Sequence, residues 1–204
     1  MQIEILSDKQ KELLPYIATY KRSFYLVGGT AIALYLGHRR SIDFDLFTYD
    51  QLRKQSIRRK LLTIPYRQNL IFEDYDQLHM YVNEVKVTFF SYPYRMEHPI
   101  KFDKHISMPT LLSLAAMKAF AIGRRTKWKD YVDLFFLIKD RFSVKDISDE
   151  AKRLYNDHFS EKLFREQLAF HKDIDYAEPV EYMDGYEEDE GFIKAFLIEK
   201  ALEW

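Results

Sequence analysis

The stretch Phe24–Phe47, FYLVGGTAIALYLGHRRSIDFDLF, constrains this chain more than any other. Phe24, Tyr25, Leu26 and Val27 predict a short buried strand. Gly28 and Gly29 predict a turn, and Thr30 opens a helical apolar run from Ala31 to Leu36. Gly37 predicts its end, because helices often stop on a left-handed glycine. A basic loop then leads into a second strand carrying Asp43 and Asp45. Residues two apart on a strand share a face. At roughly 3.3 Å rise per residue their Cα atoms lie about 6–7 Å apart. Two like charges so placed repel unless a cation neutralises them, so the pair predicts a site for Mg²⁺. Ile42, Phe44 and Leu46 then fall on the opposite face and are expected to be buried. Glycines ahead of a helix let backbone N–H groups approach an anion. Thr30 can cap that helix or donate its hydroxyl to a phosphate, and Arg39 and Arg40 offer cations for a triphosphate.

Strand, Gly-Gly, helix, basic loop and Asp-x-Asp, in that order, resemble the opening motif of the nucleotidyltransferase superfamily that includes DNA polymerase β. The wording GGTAIALYLGHRRSIDFDLF is most similar to the AbiEii/AbiGii toxin family within it. That resemblance implies transfer of a nucleoside monophosphate from an NTP to a hydroxyl, with Asp43 and Asp45 holding Mg²⁺. Gly28, Gly29, Thr30, Arg39 and Ser41 would position the triphosphate. Two later stretches extend the likeness. Met117-Lys118-Ala119-Phe120-Ala121 is similar to a family sequence whose Lys serves the nucleotide site, which puts Lys118 beside the phosphates. Lys129-Asp130-Tyr131-Val132-Asp133-Leu134 is similar to a Lys-Asp-x-x-Asp-Leu signature. It carries an active-centre role to Asp130 first, as base or auxiliary ligand, and to Asp133 second. One position departs from the wider pattern: Thr88, in VKVTFFSYP, stands where relatives often show a third carboxylate. A hydroxyl supplies no such charge, so two aspartates must suffice or Asp130 or Asp133 must take its place.

Composition narrows the remaining choices. A net charge of −1 favours neither anionic nor cationic partners, and the absence of cysteine excludes disulfides and Cys-ligated zinc. No apolar run approaches the roughly 20 residues that span a bilayer, and the N-terminus has no basic-then-apolar leader, so a cytoplasmic protein without a membrane partner is expected. The 15 Tyr and 16 Phe predict an aromatic core with Tyr at its margins.

Along the chain, Asp8–Tyr20 predicts an amphipathic helix buried through Leu13, Leu14, Ile17 and Tyr20, kinked or delayed by Pro15. Asp50 is expected to cap a basic helix that ends before Pro65; that helix is either a solvated face or a surface for nucleic-acid phosphates. Residues 69–92 predict strands turning at Asn83-Glu84, with Lys86 an edge charge. Pro93–Pro99 predicts a loop. Helices follow from Ser107–Thr110 to Gly123, with Ser107 or Thr110 as cap, around Asp130–Ile138, and in two further segments capped at Ser143 or Asp146 and at Ser160. On apolar LLSLAAMKAFAIG, Lys118 by itself reads as a side chain snorkelling to the surface. His158 and His171 lack a second ligand at metal-binding spacing. Residues 173–190 hold nine acidic residues and no Lys or Arg, which predicts a solvated loop. A last helix is expected over Gly191–Trp204.

The expected fold is α+β: a nucleotidyltransferase-like mixed sheet flanked by helices, residues 1–104, followed by a helical C-terminal region, residues 105–204, that completes the site. What the resemblance implies for biology is the toxin of a type IV toxin–antitoxin pair, with a cognate antitoxin and an RNA acceptor, the tRNA 3′ end in some relatives. Two other readings stay open at this point: a catalytically weak protein that binds nucleotide or a partner, and an enzyme acting on a small-molecule hydroxyl.

Overall fold

The computed structural model describes residues 1–203. Its centre is a five-stranded mixed sheet built from β1 (Tyr25–Val27), β2 (Phe44–Thr48), β3 (Gln68–Asp74), β4 (Gln77–Val82) and β5 (Val85–Ser91), in the order β1-β2-β5-β4-β3. β2 runs parallel to β5, and the other neighbours are antiparallel. A small second hairpin, β6 (Ile100–Phe102) with β7 (Ile106–Met108), joins the sheet to the later helices. The helices are α1 (Asp8–Ile17), α2 (Gly28–Leu36), α3 (Lys54–Leu61), α4 (Leu111–Ile122), α5 (Trp128–Asp140), α6 (Val144–Tyr155), α7 (Glu161–Ala169) and α8 (Glu190–Leu202).

Local chemistry accounts for most boundaries. Ser7 and Gln10 form a reciprocal capping box on α1, and Ser143 and Asp146 do the same on α6. Thr110, Ser160 and Asp189 cap α4, α7 and α8. Gly37 ends α2 at φ 74°, in the left-handed region its missing Cβ permits. Asn83 and Glu84, at φ 53° and 64°, make the tight turn between β4 and β5.

The two faces of the sheet differ. Leu46, Phe89 and Leu78 line up across β2, β5 and β4 and are fully buried. Leu13, Ile17 and Tyr20 of the first helical segment close that face together with Ile57 and Leu61 of α3. On the other face the rows are Asp45, Thr88, His79 and Phe72, then Phe47, Phe90, Gln77 and Asp74. That face is the floor of a cleft roofed by α4.

Several expectations need correction. Asp43 precedes β2 rather than lying on it, so strict alternation fails there and Ile42 is 57% exposed. Asp50 caps nothing: α3 starts at Lys54 after Arg53, with no side-chain cap. Lys86 is no edge charge, because β5 lies between β2 and β4. α1 continues through Pro15. The β6–β7 hairpin stands between the Pro93–Pro99 loop and α4, where the sequence predicts no strand and offers Ser107 as a candidate helix cap. The acidic segment 173–190 is a strap exposed at most of its acidic residues, as a solvated loop should be, but it is also docked at a few points. Arg40 N donates to Glu181 O (2.8 Å), Met183 N to His38 O (3.1 Å), and Glu178 pairs with Lys127 and Lys129. The last helix closes at Leu202; Trp204, included in the expectation, lies outside the described residues. Among those residues no helix is long and apolar enough to cross a membrane.

Candidate active site

The cleft has a volume of about 580 Å³. Its floor is the open sheet face, one wall is the start of α2, and its roof is α4 with the turn after it. Gly28, Asp45, Thr88 and Lys118 all line it, together with Arg124 and Arg125. α2 begins without a side-chain cap, so the N–H groups of its first turn are not satisfied by a capping side chain. The helix dipole adds partial positive charge there, which suits an anion. Asp45 lies against this helix start so closely that a Cβ on Gly28 would stand 2.2 Å from its Oδ2. Gly28 also has φ 74°. Only glycine meets both demands.

Gly29 serves a different neighbour. A Cβ there would lie 2.5 Å from Arg39 Nη2, so the glycine lets the Arg39 guanidinium lie against the helix. Thr30 and Ser41 face each other at 2.9 Å, and Thr30 Oγ1 also bonds the Asp43 carbonyl. A carbonyl only accepts, so Thr30 donates to it and receives the Ser41 hydroxyl. Gln10 Nε2 donates to Ser41 O at 2.8 Å. These bonds hold the loop that carries Asp43, and both hydroxyls are spent on them.

Behind the wall lies a buried ion network. Asp133 is fully buried and receives Arg39 Nε (2.7 Å) and Nη2 (2.9 Å), Lys118 Nζ (2.8 Å) and His38 Nε2 (2.8 Å). Asp130 receives Lys118 Nζ (2.7 Å) and Arg125 Nε (2.8 Å). Burial alone would raise both carboxyls, but the cations outweigh it. Arg39 and Lys118 hold Asp133 well below the usual carboxylate range, and Lys118 and Arg125 lower Asp130. Lys118, 5% exposed, is pushed down by burial but lifted further by the two aspartates, so it stays charged rather than snorkelling. His38 is held neutral chiefly by burial.

Asp43 behaves in the opposite way. Burial raises its carboxyl, the Asp45 charge raises it further, and Lys86 offsets this in part. Among the described residues neither carboxylate has an ion-pair partner, so the pair keeps negative charge that Lys86 offsets only in part. Among the described residues there is no cluster of three or more His, Cys, Asp or Glu able to hold a metal. Asp130 and Asp133 are committed to cations and do not supply the carboxylate absent at Thr88. Two carboxylates fit Mg²⁺ well, since that ion usually takes one or two protein carboxylates and completes its shell with phosphates and water.

The structure thus divides the sequence candidates. Gly28, Asp45 and Lys118 line the cleft, and Asp43 stands beside Asp45. Gly29, Thr30, Arg39, Ser41, Asp130 and Asp133 form the layer that holds them. Arg125 and Lys86 also line the cleft, though the sequence gives Arg125 no specific role and reads Lys86 only as an edge charge. Arg125 stands within a run of basic residues, and the signal that separates it is its position five residues before Asp130.

A model of the family described as nucleotidyl transferase AbiEii toxin, type IV TA system, matches residues 15–199. The chain belongs to this family. It is a nucleotidyltransferase of the AbiEii toxin type. An uncharacterized protein of Aquifex aeolicus (strain VF5), aq_aa25, is 34% identical over 157 residues, covering 74% of this chain and 76% of that one. The fold is shared with MenT4, a nucleotidyltransferase toxin from Mycobacterium tuberculosis H37Rv, at a TM-score of 0.62 and 14% identity, over 95% of this chain and 80% of that one. It is shared too with JHP933 from Helicobacter pylori, at 0.60 and 16%, over 96% and 91%. The AbiEii-type chain keeps the mixed sheet and flanking helices expected of the fold.

Proposed function

We propose that this AbiEii-family protein moves a nucleoside monophosphate from an NTP to an RNA hydroxyl, the tRNA 3′ end in the first instance. It would do so with Mg²⁺, as the toxin partnered by a cognate antitoxin. The observation that carries this reading is the Asp43–Asp45 pair, which has no ion-pair partner among the described residues, set against the uncapped start of α2. The triphosphate would lie on the N–H groups at Gly28–Thr30, with Lys118 and Arg125 facing the departing pyrophosphate. Asp43 and Asp45 would hold the Mg²⁺, which when bound offsets phosphate charge and acidifies the attacking hydroxyl. Asp130 would orient Lys118 and Arg125; a carboxylate held this acidic is a weak base at neutral pH. Arg39, Thr30, Ser41 and Asp133 would fix the wall. Catalysis of this kind is mostly positioning and electrostatics and needs no covalent nucleophile.

The test is incubation with labelled NTPs, Mg²⁺ and total RNA, with Asp43→Ala as control. Label entering tRNA and lost in the control supports the reading. Nucleotide binding without transfer, or label only on small hydroxyl compounds, overturns it. Thr88 keeps the binding-only reading in the comparison, because it leaves the site one carboxylate short of the wider pattern.

A further inference from the structure

The two parts of the cleft floor differ in exposure. Phe47, Phe90 and Tyr92 cluster at one part, with Phe120 of α4 also in the lining. Toward β3 the floor becomes exposed. Thr88 is buried, His79 beside it is half-buried, and Phe72 beyond that is 46% exposed. The adjoining row runs from Lys86 to Tyr81, which is 44% exposed. β3 pairs with β4 alone, and its residues from Asn69 to Asp74 are all exposed. Phe72 meets His79 edge to face, with centroids 5.6 Å apart, so the ring is held in place.

Charge distinguishes this ledge from an ordinary apolar patch. Lys118 and Arg125, also in the cleft, are paired with Asp130. Among the described residues, Lys86 has no carboxylate within ion-pair distance, although it lines the cleft between Asp43 and Tyr81. A cation left unpaired beside exposed aromatic rings suits a phosphate chain with bases to stack. Strands lie about 4.8 Å apart, so the Phe72 backbone is roughly 14 Å from that of Asp45. That span falls within the few-nucleotide footprint of a single-strand site.

We propose that the acceptor enters as a single-stranded nucleic-acid end laid across β4 and β3, its bases stacking on Phe72 and Tyr81 and a phosphate meeting Lys86. This rests on the acceptor being RNA, as proposed above. It assigns the exposed ledge to the acceptor and leaves the Phe47, Phe90 and Tyr92 cluster to the base of the incoming nucleotide.

The experiment measures two affinities on the full chain. One is for a short fluorescent single-stranded RNA without NTP; the other is for a fluorescent ribonucleoside triphosphate with Mg²⁺. The expected result is that Phe72→Ala with Tyr81→Ala weakens RNA binding by about tenfold or more, while triphosphate affinity is unchanged. Phe72→Trp restores binding and Phe72→Leu does not, which separates stacking from simple filling of an exposed position. Lys86→Gln lowers the slope of log affinity against log salt by about 0.7. The proposal is overturned if the double variant binds RNA as the parent does, if Phe72→Leu is as good as Phe72, or if a blunt RNA duplex binds as tightly as the single strand. Absence of triphosphate binding in the parent chain would instead remove the reading of the active site, while the RNA affinities still decide the ledge.

Discussion

Two pairs of aspartates serve this molecule in opposite ways. Asp130 and Asp133 sit three apart on α5, buried, and His38, Arg39, Lys118 and Arg125 from α4 and the loops after α2 and α4 donate to them. Asp43 and Asp45 sit two apart at the start of β2, partly exposed, with no ion pair to either among the described residues. One pair has its charge spent inside the protein, and the other keeps it for something that comes from outside. An acidic residue is therefore a ligand or a fastening according to the cations around it, and those partners lie far away in sequence.

The first way to break the contrast is to remove the fastening. Asp133→Asn leaves Arg39 and Lys118 buried with a deficit of negative charge. Losing one partner of a buried pair costs about 3–5 kcal/mol, so thermal or denaturant unfolding should move sharply downward. The same carboxyl sets an acid limit. Its folded pKa lies well below the unfolded value, so its stabilisation is present above the unfolded pKa and is lost as pH falls through the folded one. Asp133→Asn should therefore lie far below the parent at neutral pH and show a shallower loss of stability into acid.

Asp45→Asn should invert that pattern. Transfer activity should fall by on the order of 10²–10³, about 2.7–4 kcal/mol of barrier, with no loss of unfolding stability. A large destabilisation by Asp45→Asn would show that the pair is a fastening after all.

Gly28→Ala tests the fit between the two halves of the wall. The left-handed backbone penalty is about 1 kcal/mol, and the new methyl must displace the Asp45 carboxylate. Activity should drop more than stability does, read from turnover and melting of the same preparation.

The smallest effect is expected at Asp43. Its folded carboxyl titrates above the ordinary range, through burial and the Asp45 charge. Relative to the unfolded chain it is stabilising in its protonated form and loses that contribution as pH rises through the folded value. Asp43→Asn should raise stability slightly, by under about 1 kcal/mol at pH 7, and the gain should disappear in acid. Added Mg²⁺ should stabilise the parent but not this variant.

What the sequence disclosed follows the range of the forces involved. The α2 stop at Gly37, the cap at Ser160 and the turn at Asn83-Glu84 depend on neighbours a few residues away, and all were legible; the α4 and α6 caps are narrowed to two residues each, and Gly28-Gly29 reads as a turn where the structure already begins α2. The mixed sheet was legible through the family likeness. Lys118 read alone resembles a surface side chain, because its two acids come from the next helix. Arg39 resembles a free cation for phosphate, because its partner lies 94 residues on. The acidic strap reads as solvated for the same reason: the cations it docks on belong to the α2–β2 loop and the start of α5. Thr88 announces an absence that no local rule can interpret, and only the placement of Asp130 and Asp133 shows that neither fills it. The β6–β7 hairpin is too short for alternation to register.

Asp133 also sets an order of events during synthesis. The Arg39 guanidinium is emplaced behind the glycine wall by an acid that the ribosome adds long after the strands that make the floor of the cleft. Until α5 has emerged, burial of that guanidinium has no counter-charge and the wall is free to collapse. A growing chain of this AbiEii-family protein therefore carries Asp43 and Asp45 before the wall beside them has its buried counter-charge.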